Sequence, residues 1–484
     1  MQMVIYDVIV LGGGPAGTTA ALRARELGAS VLLLERGDMG GVCTNDGCIP
    51  TRVLAKTARL VRDAEQFDAY GLSGARPTVD IARIMDRVQE MIGRIHDKKQ
   101  IVAHLESAGV TVHDSAGEAK FMDSETVSLP SGVMFQGKAF ILCVGGHARR
   151  LPVPGGEHAL THSDLWSLRA LPKSMAIVGA AATGCQLASI FSTFGSKVTL
   201  LDFADRVVAG EDIHTSAAMT RAFTDRGIEI VTSAKVESLV KDETGLRLNY
   251  SVSDKERTLD VEAVVVAAGW PGNIETLNLA AAGIETDRGY IRVDESLRTT
   301  APNIYAAGDI TGRMMLVQSA GDEARAAAEN AVLGRHQRPP HAVVPHGSFT
   351  DPEYASVGVT EARAREEYDC AVAFVPYAEL DRAVVDGHTE GFFKLIVDRE
   401  TRHVLGAHVV GEQAVEIVQL VAAAMASETR VEQIAELELA YPTYTGIVGL
   451  AARQISRQLG VVALSDEWRA QQSPRSAEWE HGRG

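Results

Sequence analysis

Short, unbroken apolar runs alternate along this chain with longer stretches in which apolar residues recur every three or four positions. The first run, Tyr6-Asp7-Val8-Ile9-Val10-Leu11, predicts a buried strand across Val4 to Leu11. It meets Gly12-Gly13-Gly14-Pro15-Ala16-Gly17, then a helix-patterned stretch through Leu27, then a second run from Val31 to Leu34 that stops at Glu35. The same order returns later: Met175 to Val178, Gly179-Ala180-Ala181-Ala182-Thr183-Gly184, a helix-patterned stretch through Phe194, and Val198 to Leu201 stopping at Asp202. In both copies the acid stands 23 positions after the first glycine and 18 after the last. Strand, tight turn, helix and strand make a βαβ unit, so the pattern predicts two of them.

Between the copies, Ala55 to Glu106 is charged and helix-patterned, with Ile84, Val88, Met91 and Ile95 at helical spacing. Val110 to Leu142 alternates like a small antiparallel sheet, with Pro130-Ser131-Gly132 as a turn. After Arg338-Pro339-Pro340 the pattern shifts to short strands near Phe392 to Val397 and Val404 to Val410, then an amphipathic helix from Ala414 to Ala426. Asp466 to Gly484 is polar and aperiodic and is expected to be a disordered tail. The expected fold is α/β: two Rossmann-like nucleotide-binding domains followed by a C-terminal α+β domain. The first domain is expected to be discontinuous, residues 1–155 and 271–338, with 156–270 forming the second and 339–465 the third.

Composition narrows the partners. Lys plus Arg total 47 against 63 Asp plus Glu, and the net charge of −16 repels polyanions, so no nucleic-acid partner is expected. Apolar stretches break well before the ~20 residues of a membrane helix, and no basic region precedes the first run. Neither a membrane nor an export route is expected, and the default compartment is the cytoplasm, where thiols stay reduced. Five cysteines in 484 residues cannot form a disulfide framework, so a close pair asks for a chemical reason.

A glycine-rich turn between strand and helix turns backbone N–H groups and the positive helix end toward a pyrophosphate. Gly12, Gly14 and Gly17 with Glu35 fit this in register, as do Gly179 and Gly184 with Asp202. In the second copy Ala181 replaces the middle glycine, and its methyl group pushes a pyrophosphate outward. Asp202 favours NADH over NADPH, because a carboxylate repels a 2′-phosphate. Cys43 and Cys48 lie five residues apart in Gly40-Gly41-Val42-Cys43-Thr44-Asn45-Asp46-Gly47-Cys48-Ile49-Pro50. On a helix that spacing is about one and a half turns, so a disulfide there needs distortion and is easily reduced. Half of a metal site and inert packing thiols are the rival readings, but no second cysteine pair or nearby histidine completes a tetrahedral site, and no metal is expected. Cys143, Cys185 and Cys370 read as ordinary small side chains.

These residues together resemble the pyridine nucleotide-disulfide oxidoreductase family, the group of dihydrolipoamide dehydrogenase, glutathione reductase and mercuric reductase. The likeness runs from about Tyr6 to Leu464, with Gly40 to Pro50 as its most specific part. Ile304-Tyr305-Ala306-Ala307-Gly308-Asp309 resembles the second FAD motif. Phe349-Thr350-Asp351-Pro352-Glu353 with Ser356 to Glu361 resembles the opening of the dimerisation domain, and Cys143-Val144-Gly145-Gly146 and Ala268-Gly269 resemble the two crossovers. The resemblance implies a homodimer with FAD and NAD(H). It also implies a relay in which hydride reaches one flavin face and electrons leave the other for the disulfide. Cys48 is then the flavin-contacting thiol and Cys43 the interchange thiol. The implied cofactor-binding residues are Gly12, Gly14, Gly17, Glu35, Gly41, Arg52, Gly145, Gly308 and Asp309, with Gly179, Gly184, Gln186, Asp202 and Gly269.

Three departures stand out. The family's His-Pro-Thr, with a Glu five residues after the His, is here Tyr441-Pro442-Thr443-Tyr444-Thr445-Gly446, so the acid–base pair is missing. A phenol titrates near ~10, so Tyr441 donates a proton or ligates but is a poor base at neutral pH. Arg52 and Gln186 stand where the family often has Lys and a Glu beside the nicotinamide, and Ala182 replaces an aromatic gate. The expected function is electron transfer from NAD(P)H through flavin and the Cys43–Cys48 pair to a small or protein-bound thiol/disulfide substrate. The alternatives are a metal or electrophile reductase like mercuric reductase, and a flavin-bearing redox sensor with little turnover.

Overall fold

A computed structural model describes residues 4–243, 245–341 and 343–461. The expected tail from Asp466 lies outside the described residues. The first sheet contains β1 (Ile5–Leu11), β2 (Val31–Leu34), β3 (Thr111–His113), β4 (Lys120–Phe121), β5 (Thr126–Ser128) and β6 (Met134–Leu142), in the order β3-β2-β1-β6-β5-β4. Strand Ile304–Ala306, from far along the chain, pairs with the end of β6.

The segment from Val110 to Leu142 is not the self-contained antiparallel sheet its alternation predicts. Only β4, β5 and the start of β6 pair antiparallel; β3 and the rest of β6 join the parallel sheet. Phe140, Ile141 and Leu142 are apolar on both faces, which suits a strand covered on both sides. Leu11 pairs with Leu34 and with Leu142, and Leu142 pairs with Ala306, so four parallel strands end on one line.

The second sheet repeats this plan with Glu229–Val231, Lys197–Leu201, Ser174–Val178, Ala263–Val266 and Leu160–Thr161, all parallel. A three-stranded antiparallel sheet covers one of its faces through Leu239, Leu248 and Tyr250. The third sheet is antiparallel, in the order His346–Ser348, Glu353–Gly358, Val404–Gly411, Phe392–Asp398 and Cys370–Pro376. Helices Ala414–Ala426 and Gly446–Gln458 bury Ile417, Val421, Ile447 and Ile455 against it, completing the α+β part of the fold.

The helices relevant to the site are α1 (Pro15–Glu26), α2 (Gly41–Asn45), α3 (Cys48–Glu65), α4 (Ile81–Lys99), α5 (Ile101–Ser107), α6 (His162–Leu165) and α7 (Ala182–Phe194). Leu54 and Ala58 of α3 and Ile81, Met85 and Val88 of α4 share one core with Leu187, Ala188 and Phe191 of α7. The buried face of α4 is thus Ile81/Met85/Val88; Ile84, Met91 and Ile95 are only half buried.

A buried cation ties the second and third sheets together. Lys394 is 1% exposed, and its Nζ lies 2.7 Å from Asp212 Oδ1, Glu361 Oε2 and His214 Nδ1. Asp212, His214 and Glu361 are close enough to one another to hold a metal ion, and the Lys394 ammonium already sits among them. Lys394→Met leaves the buried Asp212 carboxylate unpaired and is expected to cost about 3–5 kcal/mol. Thermal or urea unfolding measures this, and adding Asp212→Asn is expected to recover part of the loss.

Candidate active site

Both glycine-rich turns are dictated by contacts that leave no room for a side chain. A Cβ on Gly12 would lie 2.3 Å from Cys143 O, and one on Gly17 would lie 1.7 Å from Gly12 O. In the second copy Gly179 would meet Ala267 O at 2.5 Å and Gly184 would meet Gly179 O at 1.7 Å. Gly12 and Gly179 also have φ of 104° and 112°. Gly14 differs, since a Cβ there would have Gly41 Cα at 3.5 Å, an ordinary contact. The protein itself therefore leaves room for a side chain at 14, and Ala181 carries a methyl at the matching place. Gly14 and Ala181 start α1 and α7 with no side-chain cap, which leaves the first helical N–H groups for an anion.

The strand-end acids are also matched. Glu35 accepts the Gly13 N–H at 2.5 Å and the Gly37 N–H at 3.0 Å. Asp202 accepts the Ala180 and Ala204 N–H groups, the latter at 2.7 Å.

Gly12, Glu35, Cys143 and Ala307 each follow one of the four aligned strand ends, and all line a cleft of about 370 Å³. Gly14, Gly41, Cys43, Cys48, Gly145, Gly308 and Asp309 line the same cleft. Gly17 is packed behind the turn. The Gly308 N–H is held by the buried Glu323 at 2.7 Å. Burial pushes the Asp309 carboxyl above its ordinary value, with the Trp270 indole opposing.

The thiols do not sit on one helix, which corrects the expected helical spacing. The Asp46 and Gly47 N–H groups both donate to Val42 O, at 2.8 and 2.7 Å, which ends α2 and restarts the chain as α3 at Cys48. Gly47, at φ −124° and ψ −96°, makes the break. Cys43 and Cys48 are free thiols on the wall of this cleft. Their mutual interaction lowers Cys48 to about 7, burial opposing and the helix N–H assisting, and raises Cys43. Cys143, Cys185 and Cys370 are buried, and burial pushes the first two thiols up.

Three of the four residues between the thiols, Thr44, Asn45 and Asp46, are held from outside. Lys99 Nζ donates to Thr44 Oγ1 at 3.2 Å, and His96 Nε2 lies 2.7 Å from Asn45 Oδ1. Asp46 accepts from Ser163 Oγ at 2.5 Å and Trp166 Nε1 at 2.8 Å, with His162 Nε2 at 3.1 Å. Sequence reasoning missed these partners and Glu323. The only local signal was Asp46, an acid between two cysteines.

Arg52 and Gln186 lie outside the cleft and meet at Phe349. The Arg52 guanidinium stacks 4.6 Å from the Phe349 ring and lies 3.9 Å from Glu353, while Gln186 Oε1 accepts the Phe349 N–H at 3.3 Å. Burial raises Glu353 to about 7. Tyr441 is half exposed, in a separate cavity, and donates to Asp381 Oδ2 at 2.5 Å. Gly269, at φ 121°, packs beside Arg149.

Residues 6–324 match the pyridine nucleotide-disulphide oxidoreductase family, and residues 344–452 match that family's dimerisation domain. The chain belongs to this family. A dihydrolipoyl dehydrogenase from Zymomonas mobilis is 32% identical, over 90% of this chain and 95% of that protein. A mercuric reductase from Bacillus cereus is 33% identical, over 85% of this chain and 66% of that protein. Two solved structures are similar. One is the HOCl-induced flavoprotein disulfide reductase RclA from Escherichia coli, with TM-score 0.82 and 27% identity over 93% of this chain and all (100%) of that one. The other is LpdA from Mycobacterium tuberculosis, with TM-score 0.84 and 28% identity over 93% of this chain and 99% of that one.

As a member of the pyridine nucleotide-disulphide oxidoreductases, the protein is a flavoprotein oxidoreductase that binds FAD and a pyridine nucleotide. The capless α1 start and the Gly14–Gly41 approach fit the pyrophosphate of FAD. No helix among the described residues is long and apolar enough to cross a membrane.

Asp46→Ala removes the acceptor shared by Trp166, Ser163 and His162 and is expected to cost about 1–3 kcal/mol. Thermal unfolding is expected to show a lower midpoint than for Asp46→Asn, which keeps one acceptor oxygen.

Proposed function

We propose that this protein uses NADH to reduce a disulfide through Cys43 and Cys48, working as a homodimer in the cytoplasm. The observation that carries the reading is the pair of free thiols, Cys43 and Cys48, on the wall of the nucleotide cleft. FAD, when bound, supplies the two-electron carrier between the nicotinamide and the sulfurs. The α1 N-terminus and Gly14 would hold its pyrophosphate, Glu35 its ribose and Asp309 its sugar-alcohol chain.

Both sulfurs line the cleft; by the family resemblance Cys48, which opens α3, would contact the flavin and Cys43 would meet substrate. Asp202 supports NADH over NADPH, since its carboxylate stands at the strand end where a 2′-phosphate would lie. Arg52, paired with Glu353, and Gln186 are joined through Phe349 and would brace the wall between α3 and α7.

A second reading, reduction of a metal ion or electrophile, is favoured by Tyr441. Its phenol is engaged by Asp381 and carries no positive charge to assist a leaving thiolate. Among the relatives are mercuric reductases and a Cu(II) complex of RclA.

Anaerobic titration with NADH, followed by visible absorbance and thiol counting, is expected to yield two new thiols per flavin and a long-wavelength thiolate–flavin band. The band should fade as pH falls through about 7, because the Cys48 pKa is depressed and its thiolate is lost on acidification. Reoxidation by disulfides supports the first reading, and reoxidation only by Hg(II) or Cu(II) supports the second. If Cys48→Ser leaves turnover with the true acceptor intact, both fail. Asp202→Ala is expected to lower the kcat/KM preference for NADH over NADPH by roughly tenfold, about 1.4 kcal/mol.

A further inference from the structure

Thiol–disulfide exchange moves a negative charge, and this chain lacks the histidine that its family places beside the moving charge. Starting from one thiol and one thiolate, the Cys43–Cys48 proton shifts to Cys48 and Cys43 attacks R–S–S–R′. A Cys43–S–R bond forms, the substrate S–S bond breaks and R′S⁻ leaves. The Cys48 proton passes to R′S⁻, Cys48 attacks the Cys43 sulfur, and RS⁻ leaves and is protonated from water. One thiol, one thiolate, RSSR′ and one proton thus give an enzyme disulfide, RSH and R′SH, with two electrons passing to substrate. Negative charge sits on Cys43 before attack and on the departing sulfur after it.

Tyr441 brings no positive charge, being a phenol hydrogen-bonded to a carboxylate. Lys99, the last residue of α4, donates through Nζ to Thr44 Oγ1 at 3.2 Å, and Thr44 directly follows Cys43. Thr44 is 1% exposed, and its hydroxyl ties the Lys99 ammonium to the thiol loop. Of the other charged groups lining the cleft, Glu35, Asp38 and Asp309 are acids, and the Arg36 guanidinium is paired with Glu118 at 3.8 Å. His96 is committed to Asn45, and Asp46 is turned to His162, Ser163 and Trp166.

We infer that Lys99 is the electrostatic positioning residue of the exchange step, standing in for the missing histidine by holding a fixed positive charge beside the Cys43 thiolate and the leaving sulfur. The inference rests on the dithiol reading above. The role assigned to Lys99 is that of a charge and not of an acid. Its charge favours the ionised form of both sulfurs, against the opposing charge of Asp309.

The test compares wild type, Lys99→Met and Lys99→Arg as flavin-loaded proteins, reduced with dithiothreitol, desalted anaerobically and alkylated with iodoacetamide across about pH 5 to 10. Peptide mass spectrometry reads Cys43 separately from Cys48. Lys99→Met is expected to slow Cys43 alkylation about threefold or more at neutral pH and to move its profile up by at least about half a pH unit. Lys99→Arg, which keeps the charge, is expected to restore the wild-type profile; a merely structural role would not track charge in this way. Superimposable wild-type and Met profiles, or an Arg profile displaced as far as Met, overturn the inference. A parallel reduction with NADH separates the two claims. If chemically reduced proteins follow the prediction but NADH exposes no new thiols in wild type, the electron path is wrong while the charge role of Lys99 stands.

Discussion

Val42 offers one carbonyl oxygen to two consecutive N–H groups, those of Asp46 and Gly47, and this ends α2 one turn after it begins. The chain turns at Gly47 and α3 starts with Cys48 in its first position. Without that break, two cysteines five residues apart would project from different faces of a single helix. With it, both cysteines line one cleft, and the helix N-terminus favours charge on the second. Three of the four loop residues are held from outside, by Lys99 at Thr44, by His96 at Asn45 and by Ser163 and Trp166 at Asp46. Reactive chemistry needs the sulfurs free to change partners, and the surrounding bonds confine that freedom to the sulfurs.

The cleft owes its place to strand register. Four parallel strands end at Leu11, Leu34, Leu142 and Ala306, and the residues that follow them cannot continue the sheet. A helix N-terminus, a carboxylate and the thiol loop therefore collect at one edge, as open parallel sheets place their ligands. Charge then fixes the sheets against one another. Burial alone would raise the Asp351 carboxyl, yet Arg226, Arg62 and Arg59 hold it below its ordinary value. Arg59 and Arg62 come from the cysteine helix and Asp351 from the turn between the first two strands of the third sheet, so the junction ties α3 to that sheet. In an acidic protein these partly buried arginines and the buried Lys394 are where opposite charge is concentrated.

Both βαβ units were legible in the residues because they are local: glycines, helix and acid fall within about two dozen positions, and steric contacts such as Gly17 against Gly12 O act over the same range. The cysteine pair was legible for the same reason, and so was the third sheet's strand–strand–helix run from Phe392 to Ala426. Alternation from Val110 to Leu142 misled, since a strand's partner is set by which edge is vacant, and β6 had β1 and Ile304–Ala306 to pair with. Lys99 at Thr44, Asp46 at Trp166, Glu323 at Gly308 and Arg52 at Phe349 had no sequence pattern to announce them. Each joins residues from separate elements, and only packing decides which polar side chain finds a buried partner. The sequence by itself determined the chemistry available, two thiols and two nucleotide cradles. The tertiary structure decided which charges surround the thiols, because electrostatic reach follows distance in space and not separation along the chain.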